Sequence, residues 1–263
     1  MNSISLIKKN QQYYSDMKKA GESVPRLESI ASLDAIISYL VWGTSFSEYF
    51  GYKFWQKTCN EKKTYMTRRH MFSFFDRYNP PEFRNRIGDK SIAPKYYGRF
   101  LHREQVEKEA GFESFVDFCD RYNKIFIKKK VGWGGESARA IDASSPESIK
   151  RAWEALTDEF VAEPLLENCE DIKAVYPESL NTIKATVLQT KNGPVIVTAI
   201  IRFGNNTIVD NVHSGGMAAG ISIETGRIDT PAMDKHFREY TYHPVTGKQI
   251  TGLVIPSWNE EKN

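Results

Sequence analysis

The chain of 263 residues is long enough for one large domain or two small ones with a sizeable buried core. Its apolar fraction of 40% and charged fraction of 26% lie close to the globular average and indicate a folded protein. A net charge of +3 permits an anionic ligand but does not by itself indicate a nucleic-acid partner.

Cysteine usage and the N-terminal sequence predict a cytoplasmic location. Cys59, Cys119 and Cys169 are far apart and odd in number, so no disulfide framework or metal-ligand spacing is visible and a reducing compartment fits best. The first residues lack the long apolar core of a signal peptide. The most apolar early stretch, residues 30–41, contains Asp34 and is too short to cross a bilayer, so no membrane span is predicted.

Residues 1–80 are predicted to form a helical region. Leu33, Ile36, Ile37 and Leu40 have the i, i+3, i+4, i+7 spacing of one helix face. The proline pair that begins at residue 80 breaks the chain, and we place a boundary there.

Aromatic and basic residues are mixed in two segments of this helical region, 49–55 and 62–70. Such a mixture can stack on and neutralise single-stranded nucleic acid. Acidic residues are scattered through the same region, which favours instead a helical subdomain with buried aromatic and solvated lysine side chains. No nucleic-acid partner is therefore predicted.

The segment 124–140 carries a strand pattern that leads into a glycine loop. Ile125 and Ile127 fall on one face of the strand, with Phe126 and Lys128 on the other. The loop that follows contains Gly132, Gly134 and Gly135. Backbone amides in such a loop, together with a lysine, can hold phosphates. A basic strand followed by an ordinary hairpin turn explains the pattern as well, because it matches neither the P-loop nor the dinucleotide fingerprint.

The rest of the chain predicts α+β architecture with antiparallel sheets. Ser145 followed by Pro146 marks a helix start, and residues 159–166 suggest a strand that ends in a hinge at a proline. Residues 182–190 and 195–203 flank a turn sequence and predict a hairpin. The order of predicted elements along the chain is helices, then mixed helices and strands, then hairpins. This order argues against a doubly wound parallel sheet.

In this order the motifs resemble the ATP-grasp superfamily, and in detail its sugar-transfer-associated family. The motifs that carry the resemblance are Gly88-Asp89-Lys90, Phe126-Ile127-Lys128-Lys129 with Gly134-Gly135, Glu163-Pro164-Leu165-Leu166, Ser179-Leu180-Asn181-Thr182-Ile183-Lys184, Arg202-Phe203-Gly204, Val209-Asp210-Asn211, Gly215-Gly216, Glu224-Thr225-Gly226, His243-Pro244-Val245-Thr246-Gly247 and Ile255-Pro256-Ser257-Trp258. The resemblance implies an ATP-grasp domain over residues 81–263, with subdomains 81–160 and 161–263, after the helical region 1–80.

The resemblance also implies which residues bind ATP. Lys90 and Lys129 would contact the phosphates, and the loop with Gly134 and Gly135 would close over them. The choice of Lys129 within a run of three lysines rests on strand alternation and on the family match. Toward the base and sugar, Glu163 would face the adenine amino group and the Leu166 backbone N–H the adenine ring. Glu170 would reach the ribose, with Asp171 as the second choice.

At the reacting end, Arg202, Asp210 and Asn211 would take part in catalysis. Enzymes of this class activate a carboxylate as an acyl phosphate, which an amine or another nucleophile attacks. A turn is an equally ordinary role for Asp210 and Asn211, since both residue types favour turns.

The sequence departs from the family pattern in three places. The strand lysine is followed by Lys130 where the family has proline, and the loop is one residue shorter with Trp133 in place of a small residue. Lys184 replaces an arginine and cannot form a bidentate fork. The family's C-terminal strand, whose carboxylates and amide hold Mg²⁺, has no counterpart after Trp258, so the metal ligands are left unassigned.

The leading hypothesis is an ATP-dependent ligase that joins a small-molecule carboxylate to an amine or sugar acceptor in surface-polysaccharide or related sugar metabolism, with ATP and Mg²⁺ as cofactors. The alternative is a nucleotide-binding protein that is truncated, degenerate, or completed by a partner chain or a second copy. The third hypothesis is a basic nucleic-acid-binding protein.

Overall fold

The computed structural model of the chain describes residues 3–132, 138–256 and 258, and the side chains of all of these except 3–6 and 84–87. The N-terminal part is helical, as the sequence predicts. Its helices are α1 (Ser3–Lys19), α2 (Glu28–Trp42), α3 (Phe46–Gly51), α4 (Cys59–Lys63) and α5 (Arg68–Tyr78). Reciprocal side-chain caps begin α3, where Ser45 pairs with Glu48, and α4, where Thr58 pairs with Glu61.

Aromatic side chains form the core of this helical region. Tyr49, Phe50 and Phe54 are fully buried and pack against Met17 of α1. The region also contacts the C-terminal part of the chain, because the rings of Tyr13 and Phe237 lie 5.7 Å apart. Asp16 accepts a hydrogen bond from, or pairs with, the His236 ring at 2.9 Å. The helices therefore pack directly against the second sheet described below.

The apolar face predicted for α2 is exposed. The helix itself is confirmed, but Leu33 and Leu40 are 60% and 63% exposed, and Ile36 and Ile37 each 46%. The buried face consists of small side chains, Ala31, Ala35 and Ser38. Helices α1 and α3 pack against this face, where small residues permit close approach, so the large apolar residues point outward.

The middle of the chain forms a four-stranded antiparallel sheet. Its elements are α6 (Pro81–Gly88), α7 (Ala93–Leu101), β1 (Val106–Glu107), α8 (Phe112–Arg121), β2 (Lys124–Lys129), β3 (Arg139–Asp142), α9 (Pro146–Ala155) and β4 (Phe160–Pro164). The strand order is β1-β4-β2-β3. Ile125 and Ile127 are fully buried on the face that packs against α8 and α9. The opposite face is the one on which a ligand can bind.

The C-terminal part forms a five-stranded antiparallel meander. Its elements are α10 (Glu170–Val175), β5 (Ile183–Thr190), β6 (Gly193–Phe203), β7 (Met217–Ile221), β8 (Ala232–Asp234) and β9 (Glu239–Tyr240), with strands in sequence order across the sheet. Ile201, Phe203 and Met217 lie in its core with side chains from α10 and from residues 250–258. The predicted hairpin is confirmed as β5 and β6, and the fold class is α+β with antiparallel sheets, as the sequence indicates. The domain boundaries after residues 80 and 160 stay predictions.

Gly216 lies where no side chain fits. A Cβ atom there would lie 2.5 Å from the Asp210 backbone oxygen and 2.8 Å from the Phe203 backbone oxygen. Both neighbours are backbone atoms, one at the end of a central strand, so neither can move at low cost. Gly216 is therefore required by close packing between the end of β6 and the start of β7.

We expect Gly216→Ala to destabilise the fold by about 1–3 kcal/mol, as overpacked sites do. The measurement is thermal unfolding, in which each kcal/mol lowers the melting temperature by about 2–4 °C for a chain of this size. Gly98→Ala is the matched control, because a Cβ there has no neighbour within 4 Å. Equal melting temperatures for the two variants would contradict the packing argument.

Candidate functional site: a cleft between the two sheets

A cleft of about 310 Å³ lies between the open face of the first sheet and the start of the second. One wall is formed by β2, β3 and β4, and the other by the segment before β5 and by the loop after β6. The lining side chains belong to Arg103, Phe126, Lys128, Ala140, Glu163, Pro164, Leu165, Leu166, Glu167, Asn168, Lys173, Pro177, Glu178, Ser179, Leu180 and Ile208. The cleft is thus apolar along much of its wall, with charged groups at defined points.

Strand pairing selects the residues on the first wall. In the antiparallel ladder between β2 and β4, Phe126 lies opposite Glu163 and Ile127 opposite Ala162. Alternate residues point to opposite faces of a sheet. Phe126, Lys128 and Glu163 therefore share the open face, while Ile127 and Ala162 belong to the buried core.

Glu163 is the buried centre of the charges in the cleft. Its side chain is 6% exposed, and its oxygens lie 2.5 Å from Lys128 Nζ and 3.3 Å from Arg103 Nε. Gln105 donates a further hydrogen bond to it. Arg103 Nε and Gln105 Oε1 are buried without a hydrogen-bond partner among the described residues. The guanidinium is close enough for an ion pair but is not aligned to donate, so polar capacity remains for a ligand.

Positive charge exceeds negative charge around this carboxylate. Burial lowers the pKa of Lys128, Arg103 and Lys90 lower it further, and Glu163 opposes them. Lys128, Arg103 and Lys90 thus repel one another around a single buried carboxylate, that of Glu163. An anionic group of a ligand would relieve this repulsion.

Lys129 lies outside the cleft, contrary to its predicted role. It pairs with Glu159 at 3.6 Å, and its ammonium lies 5.9 Å from the centre of the Phe160 ring. Its position in the ladder is opposite Phe160, on the same face as Ile127. Strand alternation predicts that Lys129 and Lys128 lie on opposite faces, and Lys129 lies on the side of Ile127, with its side chain 45% exposed. The geometry favours Lys128.

Lys90 is held at the start of the glycine loop. Asp89 forms a bridge with Val131, and the Lys90 amide donates to the Lys130 carbonyl at 2.9 Å. Lys90 Nζ lies 3.1 Å from the Gly132 carbonyl oxygen. Lys90 is therefore tied to the residues that precede the loop, and its contact with phosphates stays a prediction. Gly134 and Gly135 lie outside the described residues, and their role stays a prediction too.

The hinge after β4 reaches the cleft, but Glu170 does not. Leu166 lines the cleft, and its contact with adenine stays a prediction. Glu170 begins α10 and its side chain is 92% exposed, with Lys173 4.0 Å away. Glu167 and Glu178 are the acidic residues that line the cleft beside the hinge. The choice of Glu170, which rested on its spacing from the hinge acid, is not supported by its position.

Arg202 and Asp210 form a second polar cluster just beyond the cleft. Asp210 is 8% exposed and accepts hydrogen bonds from the Thr182 amide, at 2.9 Å, and from its hydroxyl. Arg202 donates to Thr182 Oγ1 at 2.6 Å, and its Nε lies 3.5 Å from Asp210. Two of the three predicted catalytic residues are therefore in contact, through a threonine that the sequence analysis did not assign to the site.

Asn211 has a local structural role. Its side-chain oxygen accepts the His213 amide at 2.9 Å and caps the short helical turn Val212–Ser214. This agrees with the turn interpretation that the sequence left open. A catalytic role for Asn211 stays a prediction.

A buried hydrogen-bond network supports the second wall of the cleft. The Gly204 amide lies 3.1 Å from Ser179 Oγ, and the Gly204 carbonyl accepts from His243 Nε2 at 2.8 Å. His243 Nδ1 accepts from the Val245 amide, which leaves the imidazole neutral with its proton on Nε2. Ser179 also donates to Asn181 at 2.7 Å, so the network fixes the segment that leads into Thr182.

Two antiparallel sheets packed with helices, and a cleft between them that holds a buried carboxylate and its cations, agree with a protein of the ATP-grasp type. The sequence of residues 69–263 matches the family described as sugar-transfer associated ATP-grasp. Because this match covers well over half of the chain, the protein belongs to that family. No curated protein matches the sequence significantly.

Family membership implies binding of ATP and, in general, of a divalent metal ion. The described residues contain no group of three or more His, Cys, Asp or Glu side chains that could hold a metal. Asp210, the buried carboxylate nearest to the cleft after Glu163, is already engaged by Thr182 and Arg202. No ligand of the metal ion is therefore assigned among the described residues, and Glu260 and Glu261 lie outside them. Over the same residues, no helix has the length and apolarity needed to cross a membrane.

Because His243 is neutral in the folded protein, the stability of the fold should depend on pH. Burial holds its pKa below the usual value of 6.5, against the opposing effect of the Gly204 carbonyl. Between the lowered pKa of His243 in the folded protein and its ordinary pKa of 6.5 in the unfolded chain, the unfolded chain binds more protons. The contribution of the neutral His243 to the free energy of unfolding is therefore fully present above pH 6.5 and is lost as the pH falls below it. The slope for one proton is at most about 1.4 kcal/mol per pH unit.

Urea unfolding at about pH 7.5 and about pH 5.5 measures this effect, since the pH range brackets the ordinary histidine pKa. We expect the wild type to lose more stability on acidification than His243→Gln, which keeps a donor for the Gly204 carbonyl but does not titrate. A pH dependence identical in both proteins would show that His243 is not the group responsible.

Proposed function

We propose that the cleft holds ATP, with the adenine between its apolar walls and the phosphates toward Lys128, Arg103 and Lys90. The observation that carries this proposal is the excess of positive charge around the buried Glu163. The cleft volume of about 310 Å³ lies at the lower end of the range for small-molecule sites, roughly 300–1,000 Å³.

The apolar wall supports the same orientation. Phe126, Ala140, Leu180 and Ile208 line the part of the cleft beside the hinge at Leu166. A flat heterocycle fits between such side chains, while hinge backbone groups can recognise its edge. In this arrangement Glu167 or Glu178, rather than Glu170, is placed to contact the ribose hydroxyls.

For the chemistry, we propose phosphoryl transfer from ATP to a small-molecule carboxylate, which gives an acyl phosphate that an amine or sugar hydroxyl then attacks. Such transfer depends on positioning and charge neutralisation more than on a covalent group. Arg202 lies just beyond the cleft, beside Asp210 and Thr182, and can stabilise the negative charge that develops there. The family's association with sugar transfer supports a role in polysaccharide or related sugar biosynthesis.

A second candidate function is nucleotide binding without turnover. Asp210 Oδ2 is engaged by Thr182 and Arg202, and the described residues contain no group of three or more His, Cys, Asp or Glu side chains that could hold a metal. This candidate shares the ATP site but predicts no acyl phosphate, so the two functions are separable by experiment.

The ATP site is tested by comparing Lys128→Ala with Lys129→Ala. Loss of a charge-assisted hydrogen bond at Lys128 should weaken ATP binding about ten- to hundredfold. Lys129→Ala, its matched control on the opposite face of the same strand, should bind ATP nearly as the wild type does. Calorimetry on folded protein measures both affinities. A larger loss at Lys129 would restore the assignment made from sequence, and no ATP binding by the wild type would refute the site.

The ligase chemistry is tested by trapping. Hydroxylamine converts an acyl phosphate into a hydroxamate, so we expect hydroxamate and ADP to form from ATP and a panel of sugar acids and amino acids. Arg202→Gln should lower hydroxamate formation about a hundredfold or more, as loss of a group that stabilises transition-state charge does, with ATP affinity little changed. Tight ATP binding without hydroxamate from any acid in the panel would favour the non-catalytic candidate.

A further inference from the structure

Helix α7 presents cations and aromatic rings to solvent in two adjacent rows. None of its residues is buried. Phe100 is 64% exposed, Tyr96 44% and Ile92, just before the helix, 38%. These three follow one another at four-residue spacing, which places them in one row along the helix. Lys95 and Arg99, each one residue earlier than a ring, form the neighbouring row.

Each cation lies against an aromatic ring of the neighbouring row. Lys95 Nζ is 6.0 Å from the centre of the Tyr96 ring, and Arg99 Cζ is 4.5 Å from that of Phe100. The aromatic row is therefore bordered by cations along its length. A basic face beside aromatic and aliphatic side chains is the composition of helices that lie in the interface of a lipid bilayer.

The charge around α7 has one sign. Between Asp89 and Glu104 the chain contains four Lys or Arg residues and no carboxylate. Anionic lipid headgroups attract such segments, and tyrosine favours the headgroup level of a bilayer. Helix α2 also exposes a large apolar face, but it contains no Lys or Arg, so this charge argument applies to α7.

We infer that α7 docks the protein on a bilayer surface that carries anionic headgroups. Its rings would enter the headgroup region, and its cations would pair with lipid phosphates. The helix begins three residues after Lys90, which is tied to the Lys130 and Gly132 carbonyls at the start of the glycine loop. Docking would thus bring the phosphate end of the cleft near the membrane and favour a membrane-associated acceptor, a consequence that rests on the proposed function.

Vesicle sedimentation of the full chain tests the docking. We expect binding to vesicles of phosphatidylcholine mixed with phosphatidylglycerol, much weaker binding to pure phosphatidylcholine, and loss of binding at high salt. Lys95→Gln with Arg99→Gln should weaken binding about 25-fold, since each cation near an anionic surface contributes roughly fivefold. Phe100→Ser should weaken it about tenfold, through the loss of a buried ring.

Matched controls lie on the C-terminal part of the chain. Tyr242 is 56% exposed and Lys191 is exposed in the β5–β6 turn, so Tyr242→Ser and Lys191→Gln remove a ring and a charge of the same kinds elsewhere. Both should bind vesicles as the wild type does. Lys128→Ala should also keep vesicle binding while losing ATP, which separates a failure of docking from a failure of the ATP site.

Three results would overturn the inference: no binding to anionic vesicles, equal binding to neutral and anionic vesicles, or equal losses in the controls. If the wild type does not bind vesicles but forms a dimer, and Phe100→Ser dissociates that dimer, the exposed face of α7 binds a second copy of the chain instead.

Discussion

The cleft depends on the register between β2 and β4. This pairing places Phe126 opposite Glu163 and directs Lys128 to the same open face. A shift of β2 by one residue would turn its side chains to the other face, so that Ile127 would point into the cleft and Lys128 into the core. The helices α8 and α9 prevent this shift, because they pack against Ile125 and Ile127. The hydrophobic core below the sheet thus determines the chemistry above it.

A buried carboxylate needs positive charge and hydrogen-bond donors around it, and Glu163 has two cations and one neutral donor as neighbours. Removing a carboxylate from water is costly unless it is paired and hydrogen-bonded. Lys128, Arg103 and Gln105 all approach it. Burial is the largest cause that lowers the pKa of Lys128, and the nearby cations Arg103 and Lys90 lower it further. Close to Glu163 the cations therefore outnumber the carboxylates, and the proposed ligand for this part of the cleft is a phosphate group.

The opposite wall is rigid for a different reason. It contains no strand ladder at this point, and its shape is held by buried side chains that bond to backbone groups. Ser179 and Asn181 receive the Gly204 amide, and His243 caps the Gly204 carbonyl. Thr182 follows at once and joins Asp210 to Arg202. One side of the cleft is thus fixed by a sheet, and the other by a polar network that leads into the cluster of Thr182, Asp210 and Arg202.

Local sequence determined the elements of this protein. Alternation predicted the strand at 124–129, the Ser145 cap predicted α9, and the turn after Thr190 predicted the hairpin of β5 and β6. Alternation also separated Lys128 from Lys129, and the burial of Ile125 and Ile127 was the available signal that Lys128 belongs to the open face. The family motifs indicated membership of the family that residues 69–263 match.

Only the tertiary structure decided which faces are covered. A strand or helix pattern defines sides, but burial depends on which distant element packs there. The packing of Ile125 and Ile127 against α8 and α9 fixed which face of β2 is buried, and Lys129 lies on the side of Ile127, away from the cleft. Close contact through small residues left the apolar row of α2 exposed. Arg103 and Gln105 joined Glu163 from sixty and fifty-eight residues away along the chain. Sequence spacing carries no information on such contacts, because they arise from the folding of β1 against β4 and not from any local periodicity.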